Sequence, residues 1–397
     1  MKKINRMKIR RYEAIFRRTK AYRLWRRCWK KYWFKVALVV VVLAAFVISF
    51  NWYNTYDSYE DYETEASVRI DSSSNSKYEP FEDFVLKYSN EGVSYIDGEK
   101  ELWNESYDMQ TPIIDVCESY FAIADKNTND IIVFNKKGKI GNITTNYPLI
   151  DLDVARQGVV AALLQEQNAS YIEIYDSSGE RLVSHKSLLN ENGYPIAISL
   201  SQDGTKLMVS YVTTSKGSVK ERLVFYNFSS KGRKFKDGIV GEFEGYGDSF
   251  IPSVKFMTNS DAAVVGEDLV DFYSVDLKPS LKEHIEIKEK IQKVFYSDNY
   301  VGLVFNSKEK KNASRIEVYN KSGKQLMNKE VDFEFESIRF ANNKVLLYNS
   351  RQCDILSFKG IEKFKYHFKE NLLDIVPTKD EKFLIMYNTR IEKISLE

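Results

Sequence analysis

The 397-residue chain predicts an all-β fold, a β-propeller of four-stranded blades, preceded by one N-terminal transmembrane α-helix. Three observations carry this expectation. A phrase of alternating strand, Asn/Asp-x-x-Gly turn and second strand recurs as "DIIVFNKKGKI" (Asp130–Ile140), "YIEIYDSSGERL" (Tyr171–Leu182) and "RIEVYNKSGKQL" (Arg315–Leu326). Aromatic residues make up 14% of the chain and prolines number only seven, which favours strands over disorder. An apolar run from Val36 to Phe50, broken only by Ser49, follows a strongly basic head.

The head occupies residues 1–32. Residues 1–35 hold fifteen Lys/Arg against Glu13 alone, a charge of +14, while the remainder holds 43 basic and 55 acidic residues, or −12. Such a split suits one part meeting an anionic surface and another that does not. The basic pairs Arg17–Arg18, Arg26–Arg27 and Lys30–Lys31 alternate with Ile15–Phe16, Leu24–Trp25 and Trp29. At helical spacing this gives a cationic and an aromatic face, suited to a helix on an anionic inner leaflet. The same charges also serve as a plain topology signal. No nucleic-acid partner is expected, because basic-aromatic interleaving beside an apolar span is better explained by lipid.

Residues 33–53 are expected to be the anchor, with Trp33, Phe34, Val36, Phe50, Trp52 and Tyr53 as its membrane-contacting residues. Twenty-one residues at 1.5 Å each reach about 30 Å, one hydrocarbon core. Trp33 and Trp52 stand where an aromatic belt places them. A cleaved signal peptide competes for this segment, but its basic region is usually short and it ends at a small-x-small site. "FVISFNWYN" offers no such site, so the anchor is expected to stay. The basic excess before it sets the N-terminus in the cytoplasm and the C-terminal bulk outside the cell membrane. Residues 54–83, acidic and rich in Tyr and Ser, read as a flexible stalk.

Residues 84–397 are expected to form the propeller. Gly138, Gly179 and Gly323 mark the hairpin turns, and two apolar strands precede each full hairpin, giving four strands per unit. Aligning Phe134, Tyr175, Tyr226, Tyr273, Tyr319 and Phe358 gives steps of 41, 51, 47, 46 and 39 residues. Six full units leave 55 residues at the two ends, enough for one blade at this spacing. Seven blades are therefore expected, the last joining N- and C-terminal strands, with eight as the alternative.

"SLSQDGTKLMVS" (Ser199–Ser210) resembles the S-x-D-G-x-x-L turn of WD40-like and TolB-like propellers, and "TKDEKFLIMY" is a degenerate copy. "VLKYSNEGVSYIDGEKELW" is similar to quinoprotein-type propeller repeats. The whole arrangement resembles an uncharacterised family of bacterial single-pass membrane proteins with an external propeller. The resemblance covers nearly all of the chain, but its motifs are structural and imply no reaction.

The residues themselves offer little chemistry. No P-loop, G-x-G-x-x-G, G-x-S-x-G, H-E-x-x-H or EF-hand pattern occurs. The three Cys and three His are scattered, so no metal site, cofactor or catalytic residue is expected. Asp115, Asp151, Asp153 and Asp374 fall near the first strands of their units, where a ring of acids suits a cation or a basic peptide. Asp at strand ends also occurs for hydrogen bonding alone. The expected function is a non-enzymatic protein-interaction scaffold at the cell envelope, with an envelope protein as partner. The alternatives are a propeller hydrolase or lyase acting on cell-wall polysaccharide or peptide, and a ligand-sensing membrane protein.

Overall fold

A strand that meets a neighbouring sheet on either side must be apolar on both faces, and the second strand of each unit has that character. Val160–Gln165 reads VAALLQ and Asp261–Val265 reads DAAVV, with nearly every side chain buried. Fourth strands have water at their outer edge, so Arg181–Leu188 and Pro279–Glu286 are largely exposed and polar.

The computed structural model describes residues 32–36, 38–47, 49, 56–70, 75–215, 218–244, 246, 249–307 and 313–397. It divides into two units, Met1–Ser58 and Tyr59–Glu397. Among the described residues of the second unit, thirty-two strands form eight four-stranded antiparallel sheets. Blades 1 to 7 span residues 77–106, 112–144, 149–188, 194–243, 253–286, 291–331 and 337–367. Blade 8 spans residues 372–396 and takes Tyr62–Arg69 as its outermost strand. Within each blade the chain meanders outward from the first strand. First strands of neighbouring blades touch from blade 2 through blade 5, between blades 6 and 7, and between blades 8 and 1, so they line the axis.

Eight apolar clusters fill the interfaces. Between blades 1 and 2, Phe81, Tyr95, Phe121 and Phe134 are buried, with Trp103 stacked 5.7 Å from Phe134. Between blades 8 and 1, Val376 and Leu384 meet Val85 and Ile96. The ring is therefore closed by the same kind of contact that joins every other pair of blades.

The repeated hairpin phrase acquires a structural meaning. In blades 1 to 7 the pairing of third and fourth strands shifts register near the end of the third strand, as at Ile174/Tyr175 and Val318/Tyr319. Gly179 and Gly323 follow with φ of 93° and 83°, in the left-handed region that the turn requires. In blades 3, 5, 6 and 7 a buried acid, Glu173, Asp271, Glu317 or Asp354, sits just before the bulge. Glu173 accepts from Arg181 at 2.8 Å and from the Tyr175 hydroxyl, and Glu317 accepts from Tyr319 at 2.5 Å. The "SQDG" turn is also confirmed, with Ser201 donating to Asp203 at 2.6 Å and Gly204 at φ 69°.

The structure corrects the expected seven blades to eight. The two ends do not share one blade, because each finds its missing strand inside the segment expected to be a stalk. Lys77–Phe81 is the inner strand of blade 1, and Tyr62–Arg69 completes blade 8 with register Tyr62↔Leu396 to Arg69↔Arg390. An outermost strand covers only part of one face, so Tyr62–Arg69 needs no apolar run and carries charges that discourage edge pairing. The propeller begins near Tyr59, whose amide donates to the Lys363 carbonyl at 2.8 Å, and not at residue 84.

In the first unit, residues 32–36 and 38–47 are helical, with Trp33 and Phe34 exposed and Val36 within the first stretch. Among the described residues no helix is long and apolar enough to cross a membrane. The expected anchor residues Phe50, Trp52 and Tyr53 lie outside the described residues, as do Arg17, Arg18, Arg26, Arg27, Lys30 and Lys31.

Deleting residues 59–70 should lower the melting temperature and cause concentration-dependent association, because Arg390–Leu396 then becomes an open edge. Thermal melting with light scattering across a range of protein concentrations checks this. An unchanged, monomeric melt would show that three strands suffice for blade 8.

Candidate functional site, the charged axis

The inner strands bring ionisable side chains to the axis from every blade but the fourth, which presents Ser199. Blades 8, 1, 2 and 3 supply Asp374, Glu79, Asp115, and the pair Asp151 and Asp153. Blades 5, 6 and 7 supply Lys255, Lys293 and Arg339. The axis is thus divided into an acidic arc and a basic arc. Asp151, Lys293 and Asp374 each follow a register shift in their inner strand, a device that re-aims a side chain.

Where the arcs approach across blade 4, Lys255 stands between two aspartates. Its Nζ lies 3.0 Å from Asp153 and 3.7 Å from Asp115. Asp153 also accepts from the Ser199 hydroxyl at 2.9 Å and the Leu200 amide at 2.6 Å. Ser199 accepts in turn from the Phe256 amide at 2.9 Å, and Asp115 from the Val154 amide at 2.8 Å. One network therefore ties blades 2, 3, 4 and 5. Burial alone pushes both carboxyls up, but Lys255 and these donors outweigh it at Asp153, which is held below the usual carboxylate range. Asp115, with fewer donors and the Asp153 charge beside it, is pushed well above that range. The Lys255 ammonium resists its own burial because both aspartates favour its charge. Its side chain keeps 36% of its surface open to the water-accessible axis, so the pair is enclosed by protein without being dry.

At the other junction Arg339 donates through Nη2 to Asp374 at 3.0 and 3.2 Å and to the Tyr348 hydroxyl at 3.0 Å. Tyr348 also donates to Asp374. Burial raises the Asp374 carboxyl despite these partners, and raises Glu79, with the Asp374 charge adding to the effect. Arg339 Nη1 is buried with no hydrogen-bond partner. Lys293, at the middle of the basic arc, donates to the Glu336 carbonyl at 3.3 Å. Burial and the Arg339 charge push its ammonium down.

The structure brings together all four aspartates expected near the axis, but not as a free acidic ring. Two are held by Lys255 and one by Arg339, and burial pushes Asp151 up to about 6. Residues 255, 293 and 339 escaped the sequence reading. Their signal is a single cation inside a short apolar strand, in "SVKF", "IQKVFY" and "SIRFA", visible once the inner strands are aligned as a set. Cys117, on the inner strand of blade 2, is half-buried, and burial pushes its thiol up to about 12. Among the described residues no group of three or more His, Cys, Asp or Glu is placed to hold a metal.

Fold and axis together define an eight-bladed β-propeller with a charge-divided channel. The chain belongs to DUF5711, a family of unknown function whose match spans residues 55–396. That match takes in Tyr62–Arg69 and so includes the strand that closes the ring. No curated protein matches the chain in sequence. Among solved structures it is similar to BamB from Moraxella catarrhalis, at 12% identity and TM-score 0.52, covering 84% of this chain and 100% of that one. It is also similar to Chaetomium thermophilum Sqt1 bound to the N-terminus of ribosomal protein L10, at 9% identity and TM-score 0.52, covering 85% and 100%. At these identities the likeness is one of fold.

Lys255→Met leaves Asp115 and Asp153 facing each other without their cation. It should destabilise the propeller by about 1–3 kcal/mol, less than for a fully buried pair because water reaches this one. Adding Asp153→Asn should restore part of the loss, as read by urea unfolding. Equal stability of all three chains would show that the network ties nothing together.

Asp151 gives a pH signature. Its folded carboxyl holds a proton to about pH 6, whereas an unfolded one releases it near pH 4. Between those values the folded state binds more protons, so stability contributed by this group falls as pH rises. Asp151→Asn should therefore gain about 1–2 kcal/mol at pH 7 and nothing below pH 4. Parallel unfolding curves across pH would overturn the assignment.

Proposed function

We propose that this protein is a membrane-tethered, non-enzymatic propeller that binds an envelope protein on the outer side of the cell membrane. The observation that carries the reading is the axis itself. Three of its acids, Asp115, Asp153 and Asp374, are bound by cations from other blades, which gives a polar surface suited to recognition. Sqt1, of similar fold, binds the N-terminus of a ribosomal protein, and that example supports a protein ligand for a disc of this shape. The tether rests on the sequence. The apolar segment 33–53, the basic excess before it and the acidic excess after it support a cytoplasmic head and an external propeller. Such tethering raises the effective concentration of partners near the membrane without new contacts.

A second reading, a hydrolase or lyase acting on wall polysaccharide or peptide, draws on one observation. Asp115 and Asp153 are adjacent carboxyls whose environments push them in opposite directions, the condition for an acid and a base. The first reading is preferred because Asp153 already accepts from Ser199, Leu200 and Lys255.

Crosslinking in intact cells followed by mass spectrometry tests the proposal, comparing the full chain with a secreted chain lacking Met1–Asn51. The expected result is one dominant envelope protein with the full chain and reduced recovery with the secreted one. Recovery of no protein partner would sink the scaffold reading. Cleavage of wall fragments that is lost in Asp115→Asn would favour the second.

A further inference from the structure

A cleft of about 530 Å³ opens between blades 5 and 6. Phe250, Pro252 and Val265 form one apolar wall, and Ile291 and Val294 the other. Phe250 is 39% exposed, a large aromatic surface left open to solvent. Lys290 and Lys293 line the same cleft, and Glu267 is the one acid among its lining residues. Lys293 belongs to the inner strand of blade 6, so the cleft runs into the basic arc of the axis. On the next inner strand stands Arg339, whose Nη1 is buried and unpartnered. The other two axial cations are each held by carboxylates, whereas Lys293 makes one long bond to a carbonyl among the described residues.

An apolar wall beside cations short of acceptors calls for a ligand with an apolar body and an anionic end. Gln292 and Ser253 add polar groups along the cleft, which suit the amides of a peptide better than a hydrocarbon chain. We propose that this cleft binds the C-terminus of a protein, with the terminal carboxylate on Lys293 under the field of Arg339. The final apolar side chain then lies among Phe250, Pro252, Ile291 and Val294. This deepens the binding reading above and rests on it only in taking the ligand to be a protein. Among the described residues Lys293 has no carboxylate partner, so a ligand carboxylate would offset its partial desolvation and its repulsion from Arg339.

The test uses the full chain in detergent micelles and fluorescence polarisation. The probes are fluorescein-labelled hexapeptides varied at their last three positions, each made with a free carboxylate and as the C-terminal amide. A subset ending in an apolar residue should bind. Amidation, and separately Lys293→Gln, should weaken that binding by roughly tenfold or more, the scale of a lost charge-assisted hydrogen bond. Lys293→Arg should retain it, and Phe250→Asp should abolish it. Both positions are exposed, so unchanged melting curves should show that the variants fold. Binding indifferent to amidation or to Lys293→Gln would overturn the proposal, as would displacement of every peptide by lower concentrations of dodecanoate. No peptide binding alongside a crosslinked partner in cells would remove this site and leave the scaffold reading standing.

Discussion

A four-stranded sheet that is apolar on both faces has no free-standing solution in water, and everything else in this molecule follows from that constraint. Each blade needs a neighbour on either side, and each neighbour needs another. An open row would end in two wet apolar faces, whereas a ring has none. The eight clusters between blades are the answer, and no interface is chemically special. The one between blades 8 and 1 buries Val85, Val376 and Leu384 as completely as the interior interfaces bury their own residues. Large rings leave a wider axis, and it is this space that the inner strands fill with charge.

The axis shows how a repeat fold carries information that its repeat does not. The bulge recurs in blades 1 to 7, and the buried acid just before it in blades 3, 5, 6 and 7, because these blades solve the same packing problem. The inner-strand charges do not recur. They change sign around the ring, and their pairings differ at the two junctions. At one, a lysine reaches across blade 4 to two aspartates. At the other, an arginine meets one aspartate on the next blade. Ion pairs of this kind add little net stability over a well-packed apolar alternative. Their effect is to fix which charges are paired across blades and which remain unpaired at the axis.

The architecture was legible wherever burial imposes a strong pattern. Strands such as Phe383–Tyr387, buried throughout, announce themselves as apolar runs, and the glycine-marked hairpins fix the phase of the repeat. Legibility failed at the first and last strands. Tyr62–Arg69 reads YETEASVR because an outermost strand owes the core little, so its composition matches that of a solvated linker. Together with Lys77–Phe81, the other strand inside the expected stalk, it changed the blade count from seven to eight and moved the start of the domain. In the channel, the aspartates were visible because carboxylates draw attention as candidates for chemistry. Lys255, Lys293 and Arg339 were not, since a lone cation in a short strand looks like surface until the strands are laid side by side around the axis.

The pairing of Tyr62–Arg69 with Arg390–Leu396 also sets a timetable. These segments are more than three hundred residues apart, so the first strand of the domain to be synthesised receives its partner last. Blades 1 to 7 are local in sequence and can form as the chain lengthens, but blade 8 waits for the final strand to appear. Joining such distant segments is only modestly more expensive in entropy than joining near ones, because the penalty grows with the logarithm of separation. The delay matters more than the penalty. Through most of synthesis the early strand is an unpaired edge, available to other chains, and its charged, weakly apolar sequence is the protection that such an interval demands.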